Sequence, residues 1–320
     1  MNPDHLPPQD KRPDALSAYI VPSYTPTRPS KLLTVLKWGK ITVFTLIATA
    51  LIVGLWGNAR WASDTQARMR ALEATTLPAK ARPQRYDEAE LASLPPVVRR
   101  YFSRVLKPNQ PMVRRLYLEQ TGTFNLSFNG EQWEPFTARQ RVSTNRPGFV
   151  WDASISMSPG IPVRVVDAYV AGVGSLQPSV FGLFDVGGIE GSVDMARGEL
   201  IRFFAEAVWY PTALLPSQGV QWTPVDDQTA LASMTDGALT VALTFTFNAQ
   251  GLVERITSSE RSALVDGVMV TMPWEVRLSN YQKQSGMLVP LEGEVAWVPA
   301  TGRVPYWRGR VGKFDYELPR

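Results

Sequence analysis

The chain has 320 residues, 44% hydrophobic and 19% charged, with ten Trp, one His and no Cys. Without Cys there is no disulfide framework, thiolate metal site or Cys nucleophile; with His5 the sole imidazole, in a Pro-rich start, a Ser-His-Asp triad and a His-ligated zinc are excluded too. Of 33 Lys and Arg and 29 Asp and Glu, seven and three fall in residues 1–62, leaving 26 of each sign for residues 63–320; the net +4 belongs to the N-terminal segment, which argues against nucleic acid as a partner.

Residues 1–30 contain seven prolines and many polar side chains, so a disordered tail is expected over residues 1–35. From Ile41 to Ala59 there follow 19 residues without a charge, ITVFTLIATALIVGLWGNA. At ~1.5 Å per residue they span roughly 28 Å, close to the ~30 Å hydrocarbon core of a bilayer. Trp38 stands at one end and Trp56 and Trp61 at the other, where amphipathic rings favour the headgroup level. Gly57 and Ala59 would suit a signal-peptide cut, but some 40 residues precede the apolar run, so an uncleaved signal anchor over residues 36–61 is the better reading. The expected location is the bacterial inner membrane, single-pass, with the bulk of the chain outside the cytoplasm and the lipid bilayer as a partner.

Residues 62–85 read as a polar helical extension to Ala74 followed by a Pro-containing linker, and residues 86–320 as the folded domain. Asp87 and Glu88 suit a helix start, and Leu94, Val98, Tyr101, Phe102 and Val105 recur at helical spacing, with Pro95-Pro96 dividing two short helices. Arg99, Arg100, Arg104 and Lys107 give that region a basic face, read as an ordinary solvated one. From Arg114 the period becomes two, clearest where Leu239, Val241, Leu243, Phe245 and Phe247 alternate with small or polar residues. Asn129-Gly130, Asp236-Gly237 and Asp266-Gly267 signal two-residue hairpin turns, and Asn248 to Gly251 a longer one. One strong helix, Glu199 to Leu215, interrupts the strands and is apolar over most of its circumference, hence buried. The expected order is five or six strands, that helix, then six or seven strands. The fold class is mainly β (α+β), a large curved antiparallel sheet or half-barrel wrapped around the buried helix, preceded by one transmembrane helix.

No motif implies a metal or a cofactor. Gly172-Val173-Gly174 and Gly187-Gly188-Ile189-Glu190-Gly191 lack both a full glycine fingerprint and a P-loop Lys, and read as turns. Asp226-Asp227 is the most site-like acidic pair, although carboxylates capping a turn are commoner than catalytic ones. Asp152, Asp167, Glu206 and Glu275 lie among apolar runs; they suit either acid–base chemistry or structural pairing with Arg164, Arg202 or Arg277. The aromatic residues Phe203, Phe204, Trp209 and Tyr210 on the helix, with Trp151, Trp222, Trp274, Trp297 and Trp307 on strands, suit an apolar ligand cavity or a packed core equally well. Arg202 and Glu206 complete the candidate ligand-binding set.

The runs PGFVWDASISMSPGIPVRVVDAYVAGVGSL (147–176), GELIRFFAEAVWYPTALLPSQGVQWTPVDD (198–227) and MPWEVRLSNYQKQSGMLVPLEGEVAW (272–297) resemble a widespread bacterial family of membrane or exported proteins of unknown function, over about residues 90–317. The order of elements is also similar, in architecture only, to the periplasmic lipoprotein carriers and their outer-membrane receptors, whose half-barrels hold acyl chains. That resemblance implies an apolar, lipid-like ligand between sheet and helix. The alternatives are a membrane-surface hydrolase or isomerase using Asp and Glu, and an envelope scaffold that recruits a protein partner, whose identity the sequence does not give.

Overall fold

The computed structural model describes residues 31–75, 83–127, 130–158, 161–265 and 268–319. The Pro-rich start, Asn129 and the Asp266-Gly267 turn lie outside them. Two compact units divide at Ile52/Val53. Helix α1, Lys31–Ala74, contains the expected apolar run and is the one described helix long and apolar enough to cross a membrane.

The second unit begins with the end of α1. A 3₁₀ turn, Glu88–Ser93, is capped by Asp87, whose side chain accepts from the Ala89 N–H; helix α2, Pro96–Val105, starts after the two prolines, as the spacing suggested. Seven strands follow: β1 (Arg115–Asn125), β2 (Trp133–Ser143), β3 (Gly148–Ser158), β4 (Ile161–Val170), β5 (Val173–Val180), and the two-residue β6 (Phe184–Asp185) and β7 (Ile189–Glu190). After helix α3 (Val193–Glu206) come β8 (Gln221–Pro224), β9 (Thr229–Asp236), β10 (Leu239–Phe247), β11 (Val253–Ser258), β12 (Ser262–Val265), β13 (Val268–Thr271), β14 (Trp274–Gln284), β15 (Met287–Trp297) and β16 (Val304–Glu317). The excess over the expected strand number comes mostly from very short strands, whose two to four residues are too few to display a period.

Fourteen strands form one sheet in the order β6-β5-β4-β3-β2-β1-β16-β15-β14-β11-β10-β9-β8, with β7 on β5; β12 and β13 pair only with each other. Consecutive strands joined by hairpins make two meanders, and the last strand closes the gap between them by pairing with the first, Leu118 opposite Phe314. The β4–β5 turn is Ala171-Gly172, both in the left-handed region. The β9–β10 turn falls one residue later than expected, at Gly237-Ala238, because Asp236 is the last residue of β9 and pairs with Leu239.

Helix α3 touches β3, β4 and β5 and also β10, although eight strands separate β5 from β10 in the sheet. One helix can meet both only if the sheet curls around it. A row of glycines crosses the middle of the curve, Gly122 opposite Gly309 and Gly309 opposite Gly293, and the Trp307 ring lies over Gly309 where a Cβ would stand. Gly174 on β5 faces α3 so closely that a Cβ there would come within 2.6 Å of the Met195 carbonyl and 2.7 Å of Ala196 Cα.

Helix α3 differs from the expected 199–215 span at both ends. Ser192 caps it, accepting from the Met195 N–H at 3.1 Å, so it starts earlier. It ends at Glu206 because Pro211 and Pro216 have no N–H to continue the ladder, and the chain advances by 3₁₀ turns with its apolar side chains still buried to Leu215.

The other face of β3 and β4 carries a separate apolar cluster, Val150, Val166 and Ala168, filled by Trp61 and Leu72 from α1. Alternation places these side chains opposite Phe149, Trp151 and Asp167, so the end of α1 lies on the convex side of the sheet. Trp61 is therefore a packed residue whose indole N–H donates to Asp152.

Gly174→Ala places a methyl against α3 backbone that cannot swing aside, and should lower stability by about 1–3 kcal/mol in denaturant unfolding of the full chain. Gly187→Ala has no neighbour within 4 Å to meet and, at a positive φ, should cost about 1 kcal/mol through backbone strain alone.

Candidate functional site

Between the concave face of the sheet and α3 lies a cavity of about 400 Å³. Its walls are Trp151, Ile155, Val163 and Val165 from β3 and β4, Leu176 and Pro178 from β5, and Met195, Ala205, Val208 and Trp209 from α3 and the turn after it. Trp274, Val276, Leu278, Val295, Trp297, Tyr306 and Trp307 close the far side, and Ala263 and Met269 of the β12–β13 hairpin complete it. Five of the ten Trp thus surround one space. Period-two alternation explains the selection: Trp274, Val276 and Leu278 point inward, while Glu275 and Arg277 between them point outward and pair at 2.8 Å.

The cavity is apolar except on one wall, where buried charges meet. Arg202 of α3 pairs with Asp167 of β4 at 2.5 Å and with Glu206, one turn on, at 2.8 Å. Its guanidinium also lies over Phe149 at 4.8 Å and Trp151 at 4.9 Å. Glu206 accepts from Gln140, Gln140 accepts from Gln120, and Gln120 accepts from the Trp151 indole, which ties the helix to three strands. Burial disfavours the Arg202 charge, but Glu206 and Asp167 outweigh it and raise the guanidinium pKa above its ordinary value.

Glu199, one turn before Arg202, is buried, and its pKa is raised well above 4.5, first by burial and then by the Asp167 charge, against the opposing pull of Arg261 and Arg202. Among the described residues Glu199 Oε2 and Asp167 Oδ1 have no hydrogen-bond partner, and the neighbouring Asp167 carboxyl adds to the rise in the Glu199 pKa. Arg261, in the loop before β12, meets Glu199 at 3.4 Å and lies over Trp274 at 4.6 Å, while among the described residues its Nε and Nη1 have no hydrogen-bond partner.

Of the candidate ligand residues, Trp151, Arg202, Glu206, Trp209, Trp274 and Trp307 line the cavity, as does Trp297. Phe203, Tyr210 and Trp222 do not. Phe203 and Tyr210 pack on each other at 5.5 Å, with the Tyr210 hydroxyl donating to the Phe203 carbonyl, and Trp222 sits against Phe102, Phe245 and Phe247 with its N–H on the Leu214 carbonyl. Phe204 packs on Phe245. Of the acidic candidates, Asp167 and Glu206 reach the cavity wall. Asp152 is on the convex face under Trp61, where burial raises its pKa despite the indole hydrogen bond. Asp226 and Asp227 are in an exposed loop in which Asp226 accepts from the Gln228 N–H at 2.8 Å, a turn cap. Glu275 belongs to an outer-face network with Arg277, Arg303 and, through Arg303, Glu294. Sequence reasoning missed Glu199 and Arg261. Glu199 has a visible signal, its place three and seven residues before Arg202 and Glu206 on one helix stripe; Arg261 lies in a loop with none.

The model of a family of unknown function, DUF6544, matches residues 84–309. The chain belongs to that family. Its matched span agrees with the stretch expected from the quoted runs. No curated protein sequence matches significantly. Among solved structures, the chain is similar to a LolA superfamily protein from Nitrosomonas europaea, at 11% identity and a TM-score of 0.37, over 70% of this chain and 93% of that one. It is also similar to a domain described as an outer membrane lipoprotein-sorting protein from Vibrio parahaemolyticus, at 7% identity and a TM-score of 0.38, over 64% of this chain and 86% of that one. The cavity, not this likeness, carries the functional argument.

Because burial raises the Glu199 pKa in the folded protein, its contribution to stability is fully present below about pH 4.5 and is lost as pH rises toward its folded pKa. Urea unfolding of wild type and Glu199→Gln from pH 4.5 to pH 8 should show the wild type losing stability relative to the variant as pH rises. A constant difference would mean that Glu199 is ionised in the folded protein.

Proposed function

We propose that the protein is a single-pass, membrane-anchored member of the bacterial cell envelope whose domain lies outside the cytoplasm and holds a lipid-like ligand between the sheet and α3. The observation that carries this reading is the cavity of about 400 Å³ bounded by five indoles. That volume falls within the ~300–1,000 Å³ range of small-molecule sites, and a largely apolar wall with a few placed polar groups is their usual composition. Each methylene transferred into it contributes about 0.8 kcal/mol. The orphan donors of Arg261 offer hydrogen bonds to a polar head, so the head contacts are assigned to the charged wall and not to Asp226, Asp227 or Tyr210.

A second reading is favoured by one specific feature, the Glu199–Asp167 carboxyl pair on the same wall. A carboxyl whose pKa is raised by burial, with a second carboxyl on the same wall, offers proton transfer to a molecule bound there. Glu199→Gln separates the readings: binding survives in a carrier, and turnover is lost in an enzyme.

Ala205 faces the cavity from α3, so Ala205→Phe fills part of it with apolar atoms. A fluorescent fatty acid should gain emission with the full-length wild type, be displaced by unlabelled lipid, and bind Ala205→Phe at least tenfold more weakly at unchanged thermal stability. Equal binding by both would place the ligand elsewhere.

A further inference from the structure

The docking of helix α1 on the sheet begins at Gly57, next to the end of its apolar run. Gly57 meets the β5–β6 connection so closely that a Cβ there would contact the Phe181 carbonyl and approach Leu183 Cγ to 2.7 Å, and Gly182 approaches the Gly57 carbonyl in return. On the next residue, Asn58 Oδ1 accepts from Arg164 of β4 at 2.8 Å. Further along, Arg68 donates to Ser175 and Gln177 of β5. These contacts fix the connection in height along the helix. Gly57 is two residues before the end of the uncharged run, a rise of about 3 Å, so the connection stands where that run meets the first flanking charge, Arg60.

The connection is largely apolar and exposes part of that surface. Residues 178–189, PSVFGLFDVGGI, hold one charge, Asp185. Phe184 is 63% exposed and Val186 53% exposed, beside the less exposed Phe181. Phe181 itself takes a φ of 56°, a conformation that a bulky side chain adopts only under constraint. A water-facing loop would gain from polar residues at these positions, whereas a loop at a bilayer surface buries them.

We propose that the Phe181–Val186 connection is a membrane-contacting element that inserts Phe184 and Val186 into the headgroup–acyl boundary beside the anchor, with the Arg164 guanidinium at the headgroup level. It rests on the reading of α1 as a membrane anchor. It goes beyond that reading by making the lipid surface a binding partner of the folded domain. The bilayer then fixes the orientation of the sheet, with β5 toward the lipid, through two contacts instead of one.

The chain has no Cys, so one introduced thiol is unique. Full-length Phe184→Cys, Val186→Cys, Leu46→Cys and Gln250→Cys, each nitroxide-labelled and reconstituted in phosphatidylethanolamine–phosphatidylglycerol vesicles, report their surroundings by relaxation with oxygen and with a water-soluble nickel chelate. Positions 184, 186 and 46 should relax more with oxygen, and position 250, in an exposed turn, more with nickel. Positions 184 and 186 behaving like 250 while 46 reports lipid would overturn the inserted connection and leave the anchor standing. Position 46 reporting water would overturn both.

Discussion

Helix α3 packs against β3–β5 and against β10, with six strands between β3 and β10 in the same sheet, and this double contact forces the curvature on which the rest of the molecule depends. Sheets twist but seldom curl this far without local help. The help is visible in the glycine row Gly122–Gly309–Gly293 and in register shifts at Glu119/Gln120 of β1 and Val295/Ala296 of β15. Gly174 then lets one arm of the curve approach the helix to backbone contact. A curved sheet around one short helix encloses more volume than the helix fills, and the cavity is the remainder.

Burial of five ionisable groups on the cavity wall is an electrostatic cost that a purely structural core would avoid. Arg202 is compensated by two carboxylates and two aromatic faces, and burial raises the Glu199 pKa. Arg261 is not fully compensated: among the described residues two of its donors are unpaired against Trp274 and Trp297. A plain core would place an aliphatic residue there. The arrangement makes chemical sense for a site that meets a molecule with both an apolar body and a polar end.

Much of this was legible in the sequence, and its limits have physical causes. Alternation in β10 and the apolar run after Gly198 declare a half-buried sheet and a buried helix, because local period reflects burial directly. The cavity set was legible in part: Trp151, Trp274 and Trp307 were separable from loop residues, but not from Trp222, since the choice between cavity and packed core is made by strand neighbours distant in sequence. The Asp226 turn followed from local chemistry alone. The docking of α1 was overlooked, although Trp61, Thr65 and Leu72 recur on one helical face within an otherwise polar stretch. A flanking apolar run draws attention from so thin a stripe.

The central claim is that the space between α3 and the sheet is a preformed site and not a packing defect. The most direct measurement is native mass spectrometry of the full-length protein, extracted from its own membranes in mild detergent, set beside its denatured mass. A preformed site should yield a co-purifying adduct of a few hundred daltons that is lost on denaturation and lost in Ala205→Phe. A bare polypeptide mass under conditions that retain a known lipid–protein complex would contradict it.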